Sequence, residues 1–126
     1  MSYPSNYRYS TSHEWAHLED GVVTVGITSH ATESLGDVVH LELPAVGSNA
    51  QRGAAIAEIE SVKAVSDIYT PVSGEVVAIN DEVDNSPETV NQDPHGAGWL
   101  FKIRASDLSE LDALLDAEAY TAVANA

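Results

Sequence analysis

GAAIAEIESVKAVSDIYTP occupies residues 53–71 and decides how the middle of this chain folds. Apolar and polar residues mix over residues 53–59 as they do in a half-buried strand. Residues 65–70 are rich in β-branched and aromatic side chains and stop at a proline, which is typical of a second strand. Two strands joined by so few residues must fold back as a hairpin, so Lys63 lies at or beside its tip.

Lys63 is one of only two lysines in the chain, and the other is Lys102. In an ordinary hairpin, a charged residue at the tip keeps the turn hydrated and does nothing more. A lysine at a tip is also accessible to a modifying enzyme. A long arm attached to it through an amide bond would then sweep between partner proteins.

Length and charge limit the classes of protein to which the chain can belong. Its 126 residues, 44% of them hydrophobic, predict one folded domain over residues 1–126, with residues 1–8 poorly ordered. Twenty acidic residues against five basic ones give a formal net charge of −15. This charge argues against binding to nucleic acid or to anionic membranes and favours partners with basic docking patches.

Signals that send a protein to a membrane or out of the cell are not found in the sequence. No apolar run approaches the ~20 residues of a membrane helix. The first six residues have neither the basic nor the apolar region of a secretory signal. The chain contains no cysteine, as a protein without disulfides would. We expect a cytoplasmic bacterial protein, although the mature form of an organelle protein would have the same features.

The pattern over the whole chain predicts a mostly-β domain with short peripheral helices, and it fits a barrel and a sandwich equally well. Besides the hairpin, strands are expected over residues 12–18, 22–27, 37–43, 74–80 and 99–105. Gly74 is expected to serve a turn or a bulge at the start of its strand.

Three helical segments are expected between these strands and after the last of them. A short helix begins at a cap on Thr28 or Ser29 and stops at Gly36. One helical turn is expected near residues 87–90. Ser106 is predicted to cap a C-terminal helix with an apolar stripe at Leu108, Leu111, Leu114 and Leu115, continued or followed by a second helix over residues 116–120.

His13-Glu14-Trp15-Ala16-His17 matches the H-E-x-x-H pattern of zinc proteases. That chemistry needs a helix, in which residues four apart lie within about 6 Å of each other on one face. Here the segment precedes an Asp-Gly turn and a β-branched strand, and residues four apart in a strand are separated by roughly 13 Å. We therefore predict that His13 and His17 bind no metal and that the chain has no metal site. It also has no cysteine nucleophile and no glycine-rich phosphate loop.

The stretch around Lys63 resembles the lipoylation site of the glycine cleavage H-protein family. The resemblance is carried by ESVKA at residues 60–64, SDIY at 66–69 and PVSGEV at 71–76, and by four further stretches at residues 12–15, 25–28, 35–39 and 98–103. It extends from about Tyr9 to about Tyr120. It implies a barrel-sandwich hybrid with a C-terminal helix added.

The resemblance also implies which residues form the site. Lys63 would carry lipoate through an amide bond, and Glu60 would be recognised by the lipoylating enzyme, which is a lipoate ligase or a lipoyl transferase. The loaded arm would fold into a cleft approached by Ser12, Glu14 and Asp67. A carboxylate there could hold the cationic amine of an aminomethyl group, and a closed cleft would keep water from it.

The implied function is that of a non-catalytic lipoyl carrier of the glycine cleavage system. The arm would take the aminomethyl group of glycine from a pyridoxal-phosphate-dependent glycine decarboxylase and deliver it to an aminomethyltransferase that uses tetrahydrofolate. A dihydrolipoyl dehydrogenase would reoxidise the arm with FAD and NAD. Those cofactors belong to the partner enzymes, and lipoate is the cofactor of the chain itself.

Four alternatives fit parts of the sequence. A lipoyl domain of a 2-oxoacid dehydrogenase would be shorter and would have an aspartate where this chain has Val62. A biotin carrier would have methionines on both sides of the lysine, whereas Met1 is the only methionine here. The third alternative is an interaction module with Lys63 unmodified. The fourth is an H-like relay that hands lipoate to other proteins such as 2-oxoacid dehydrogenases, or an H-like protein that has lost glycine cleavage, and the sequence leaves this fourth case open.

Overall fold

The computed structural model describes residues 3–124, which form nine strands and five short helices. The strands are β1 (Arg8–Tyr9), β2 (Glu14–Glu19), β3 (Val22–Ile27), β4 (Val38–Glu42), β5 (Asn49–Ala50), β6 (Ala55–Ser61), β7 (Val65–Tyr69), β8 (Gly74–Ile79) and β9 (Phe101–Ala105). The helices are α1 (Ser29–Leu35), α2 (Asp81–Asn85), α3 (Glu88–Gln92), α4 (Ser109–Asp112) and α5 (Ala117–Ala124). None of the helices within this range is long and apolar enough to cross a membrane.

The strands form two antiparallel sheets that share one core. The larger sheet has the order β1-β2-β3-β9-β8-β5, and the smaller has the order β4-β6-β7. Val25 and Phe101 from the larger sheet join Ile59 and Ile68 from the smaller in one buried apolar cluster. The prediction of a mostly-β domain with short peripheral helices is confirmed.

The lysine hairpin is β6 followed by β7, as the sequence predicts. Ile59 pairs with Ser66 and Glu60 pairs with Val65, next to the connection. Burial alternates along the end of β6, where Ile59 and Ser61 are buried and Glu60 is exposed. This period of two is what places one face of the hairpin on the core and the other in solvent.

The strand boundaries differ from the predicted ones at several places. β2 starts at Glu14 instead of residue 12 because the preceding residues form a turn in which His13 has φ +74°. β9 starts at Phe101, since the backbone over residues 98–100 is a loop. Gly74 opens β8 with φ +153°, and a Cβ at this position would lie 2.0 Å from the Arg104 oxygen. Gly74 thus has a structural role, as expected, but as the first residue of β8; the irregularity in the β8–β9 register lies between Val76 and Ala78.

The C-terminal region is two short helices separated by a bridge, so the predicted option of a second helix is confirmed and that of one continuous helix from Ser106 is wrong. Leu115 exchanges two backbone hydrogen bonds of 2.8 Å with Tyr9, which interrupts the helical stripe. Asp116 precedes α5 and caps it, since its carboxylate accepts a hydrogen bond from the Ala119 N–H at 2.8 Å. Ser106 does not cap α4; the carboxylate of Asp107 instead accepts from the Ser109 N–H at 3.0 Å.

A second, aromatic cluster joins the two ends of the described chain. Tyr9 and Tyr120 are buried and stack at 4.8 Å between ring centroids, and Tyr3 packs edge-on against both. Tyr7 stacks on Trp15 at 4.7 Å. Tyr3 and Tyr7 of the N-terminal segment therefore have packing partners. Met1 and Ser2 lie outside the described residues. Poor order over residues 1–8 stays a prediction.

Candidate functional site

The connection between β6 and β7 is a tight turn held by one buried serine. The Ser61 N–H donates to the Ala64 oxygen at 2.8 Å. Its hydroxyl oxygen accepts from the N–H groups of Lys63 at 3.2 Å and Ala64 at 3.1 Å. The turn therefore has internal partners for its backbone, and the exposed Lys63 side chain starts from a fixed position.

The lysine turn rests on the segment between α1 and β4. The Val62 N–H donates to the Asp37 oxygen at 3.0 Å. Asn91 of α3 fixes that segment from the other side, since its amide donates to the Gly36 oxygen and accepts from the Val38 N–H, each at 2.9 Å. The tip of the β6–β7 hairpin is thus hydrogen-bonded to the body of the protein.

Gly36 leaves room for the stem of Lys63. Its φ is +77°, and a Cβ at this position would lie 3.4 Å from Cε of Lys63. The methylene groups of the lysine therefore lie over the glycine backbone, while the ammonium group stays in solvent. The sequence assigned this glycine only to the end of a helix, and its second role depends on a tertiary contact.

A cleft of about 190 Å³ opens next to this turn and brings together the three residues predicted to approach the arm. Ser12 comes from the turn before β2, Glu14 is the first residue of β2, and Asp67 comes from β7 on the other sheet. The rest of its lining is His13, Ile27, His30, Ala31, Ser34, Leu35, Ile59, Ser66 and Ile68. Leu35 is the neighbour of Gly36, so the cleft begins beside the stem of Lys63.

Glu14 is the most buried acid of this cleft, with 2% of its surface exposed. One carboxylate oxygen, Oε1, accepts from the hydroxyls of Ser10 at 2.6 Å and Ser12 at 2.5 Å. The other, Oε2, accepts from the Tyr69 N–H at 3.2 Å. Burial raises the pKa of Glu14 above its ordinary value, and these hydrogen bonds oppose that rise. The result is a carboxylate held in a fixed orientation in a poorly hydrated place.

Asp67 and Glu60 occupy the outer, solvent-exposed face of the smaller sheet. Asp67 lies opposite Glu58 in the β6–β7 pairing and reaches the cleft from its rim. Glu60 lies two residues along from Glu58 on the same strand and pairs with His40 on β4. The structure thus brings Ser12, Glu14 and Asp67 together, and it places Glu60 outside the cleft, beside the lysine turn.

Two imidazoles for which the sequence predicts no role in the cleft, His13 and His30, also line it. The rings of His13 and His30 lie 4.6 Å apart between centroids. Burial, and secondarily the neighbouring His30, lower the pKa of His13. His13 is therefore uncharged at neutral pH.

Comparison with known proteins gives the family. The model of the family described as "Glycine cleavage H-protein" matches residues 7–126. The chain belongs to that family. Its members are the lipoyl carriers of the glycine cleavage system, and this chain has that role.

Relatives and a solved structure agree over nearly the full length. The chain is 56% identical to the glycine cleavage system H protein of Teredinibacter turnerae over 117 residues, which is 92% of this chain and 90% of the relative. It is 58% identical to that of Idiomarina loihiensis over 120 residues, which is 94% and 93% of the two chains. The crystal structure of a glycine cleavage system H protein from Mycobacterium marinum, 38% identical, superposes with a TM-score of 0.92 over 98% of this chain and 100% of that one.

The H-E-x-x-H match lies in a turn and a strand, so its two histidines diverge. The His13 ring contacts Tyr120, whereas the His17 ring contacts Tyr7 at 4.7 Å between centroids. Within residues 3–124, no three side chains of the metal-binding types are grouped as ligands.

We expect metal analysis of tag-free protein to find well below one zinc per chain. A stoichiometric zinc that is lost in the His13→Ala, His17→Ala double variant would contradict this prediction.

Proposed function

We propose that Lys63 is the residue of this H-protein chain that carries lipoate, through an amide bond to its side-chain nitrogen. The observation that carries the proposal is the exposed lysine on an anchored turn at the edge of a cleft that ends in a buried carboxylate. Lys102, the other lysine, lies within β9 with its nitrogen 4.9 Å above the Trp99 ring. The backbone of Lys102 is therefore enclosed between β3 and β8, and its ammonium group makes a cation–π contact.

The arm is long enough to reach the cleft. From ordinary bond lengths, a lipoyl-lysine reaches roughly 12–14 Å from its Cα. Asp67 is four residues after Lys63 and so lies at most about 13 Å away, even along an extended strand. Asp67 and Glu14 line the same cleft. An arm lying along β7 would thus reach the rim of the cleft at Asp67, and its loaded end would enter the cleft that Glu14 lines.

The lining of the cleft also fits such an arm. Leu35, Ile59 and Ala31 offer apolar surface to an aliphatic chain. Glu14 offers a fixed carboxylate to a cationic amine, and Asp67 offers a second, exposed one. When bound, oxidised lipoate would supply the disulfide that accepts the aminomethyl group of glycine and is reduced as it does so. The chain itself positions the arm, holds its charged end with Glu14 and Asp67, and limits access of water.

In this account the protein is a carrier and catalyses no step itself. Its partners are a pyridoxal-phosphate-dependent glycine decarboxylase, a tetrahydrofolate-dependent aminomethyltransferase and a dihydrolipoyl dehydrogenase with FAD and NAD. A lipoate ligase or lipoyl transferase would modify Lys63 in the cytoplasm of a bacterium. The net charge of −15 favours basic docking patches on these enzymes. The test is glycine-dependent exchange of carbon dioxide with a decarboxylase, which should require the lipoylated chain; exchange that proceeds equally with the unmodified chain would overturn the proposal.

Glu60 would help the lipoylating enzyme to select Lys63. Because this carboxylate is exposed beside the turn, Glu60→Gln is expected to slow lipoylation by only about two- to fivefold. Glu58→Gln is the matched control, since Glu58 is an exposed acid on the same face of β6 but further from Lys63. Initial rates of lipoylation measured by intact mass would test this. Equal rates for the two variants would contradict a specific role for Glu60.

A further inference from the structure

Tyr120, in the C-terminal helix α5, connects two walls of the cleft through one hydroxyl group. Its side chain is fully buried. The hydroxyl oxygen lies 2.7 Å from Nδ1 of His13 and 2.7 Å from Oγ1 of Thr28. His13 belongs to the wall that carries Glu14, and Thr28 caps α1, the helix that forms the opposite wall.

Three further hydrogen bonds link Thr28 to His13 and to the first turn of α1. The Thr28 N–H donates to the His13 oxygen at 3.0 Å. The Ala31 N–H donates to Thr28 Oγ1 at 3.3 Å, and the Thr32 N–H donates to the Thr28 oxygen at 3.1 Å. Thr28 is therefore hydrogen-bonded both to His13 and to the first turn of α1, which holds His30 and Ala31 in the lining of the cleft.

We propose that Tyr120 is a positioning residue of the arm cleft, whose hydroxyl ties His13 to the N-terminus of α1 and so fixes the separation of the two walls. The proposal deepens the proposed function, because it concerns the cleft that would receive the arm of Lys63. It assigns a task in that cleft to the C-terminal helix, which lies outside the lysine hairpin and lines none of the cleft itself.

The hydrogen-bond chemistry allows both contacts of Tyr120 at once. Burial raises the pKa of Tyr120 to about 12, so the hydroxyl keeps its proton at physiological pH. A hydroxyl has one proton and accepts as well as donates, so it donates to one neighbour and accepts from the other. His13 matches either direction, since its Nδ1 donates or accepts according to the tautomer.

His13 needs such support because its backbone is in the left-handed region. Its φ of +74° is uncommon for a residue other than glycine and persists only where the surroundings determine it. The Tyr120 hydroxyl is the side-chain partner that holds the ring in this position. The titratable groups that face His13 are His30 on α1, Glu14 on β2, Asp67 on β7 and Tyr120 itself on α5. An uncharged, fixed His13 leaves the negative charge of Glu14 available to a cationic amine.

Tyr120→Phe removes the hydroxyl and keeps the ring. Tyr9→Phe is the matched control, because Tyr9 is equally buried, stacks on Tyr120, and donates its hydroxyl to the Pro4 oxygen at 2.7 Å, away from the cleft. In the unmodified protein, we expect Tyr120→Phe to speed amide hydrogen exchange of Thr28, Ala31 and Thr32 by about fivefold relative to Tyr9→Phe. Equal exchange of these amides in the two variants would overturn the proposal.

The arm provides the second measurement. In lipoylated, aminomethyl-loaded protein, Tyr120→Phe should release ammonia about three- to tenfold faster than Tyr9→Phe, with lipoylation of Lys63 unchanged. If the wild type cannot be loaded, the proposed function fails. If the wild type loads and the two variants release ammonia at the same rate, only the role of Tyr120 fails.

Variants of Thr28 keep the test decisive if Tyr120→Phe does not fold. Thr28→Val removes the hydroxyl that faces Tyr120, and it also removes the cap on the Ala31 N–H. Its readout is therefore the His13 ring, whose Nδ1 is linked to this hydroxyl through Tyr120. The NMR signals of that ring should shift in Thr28→Val and stay as in the wild type in Thr28→Ser, which retains the hydroxyl. Unchanged signals in Thr28→Val, or shifted signals in Thr28→Ser, would overturn the assignment to the hydroxyl pair.

Discussion

Lys63→Arg is expected to abolish lipoylation and, with it, glycine-dependent exchange of carbon dioxide. Arginine cannot form the amide to lipoate, but it keeps a positive charge and an aliphatic stem that can lie over Gly36. Because the lysine head is exposed, the free energy of unfolding should change by no more than about 0.5 kcal/mol. Intact mass measures lipoylation, a carbon dioxide exchange assay measures carrier function, and thermal unfolding measures stability.

Lys102→Arg is the matched control for this substitution. It changes the only other lysine, which lies in β9 against Trp99, and arginine preserves the cation–π contact. This variant should be lipoylated and should support exchange at the wild-type rate. Lipoyl mass on the Lys63→Arg protein, or its loss from Lys102→Arg, would show that the wrong lysine has been assigned.

Glu14→Gln should shorten the lifetime of the loaded arm by about ten- to a hundredfold. A charge-assisted hydrogen bond away from water contributes roughly 1.5–3 kcal/mol, which corresponds to this range. Glutamine removes the charge without emptying the site. Its amide can donate to the hydroxyls of Ser10 and Ser12, which rotate to accept, while its oxygen accepts from the Tyr69 N–H.

Asp67→Asn should have a smaller effect, of about two- to fivefold, because Asp67 is exposed and its charge is screened by solvent. Glu58→Gln, the exposed acid opposite Asp67 on β6, serves as the control and should leave the lifetime unchanged. The measurement is ammonia release from aminomethylated protein without its transferase. A rate for Glu14→Gln within twofold of the wild type would show that this carboxylate does not hold the arm.

The lysine hairpin was predictable from sequence because its information is local. Its three signals all lie within 19 residues: the mixed apolar and polar residues over 53–59, the β-branched residues after the lysine, and the proline at position 71. The cap at Thr28 and the stop at Gly36 were predictable for the same reason, and both are confirmed. The two-residue strands β1 and β5 carry no such pattern, so sequence reasoning missed them. It also missed α2, whose cap at Asn80 follows directly on a strand.

The cleft could not be derived from local pattern. Glu14 and Tyr69 are 55 residues apart, and His13 and Tyr120 are 107 apart, so only the tertiary fold brings them together. The resemblance to the H-protein family supplied Ser12, Glu14 and Asp67, but it assigned no role in the cleft to His13, His30 or Tyr120. The break in the C-terminal helical stripe has a similar cause, since Leu115 leaves the helix to pair with Tyr9.

The central claim is that Lys63 carries the arm, and intact mass followed by peptide mapping tests it most directly. Protein purified from its native cells should be heavier than the bare chain by one lipoyl group. The modified peptide should contain Lys63, and the peptide with Lys102 should be unmodified. A bare chain, a biotinyl mass or a lipoyl group on any other residue would contradict the account.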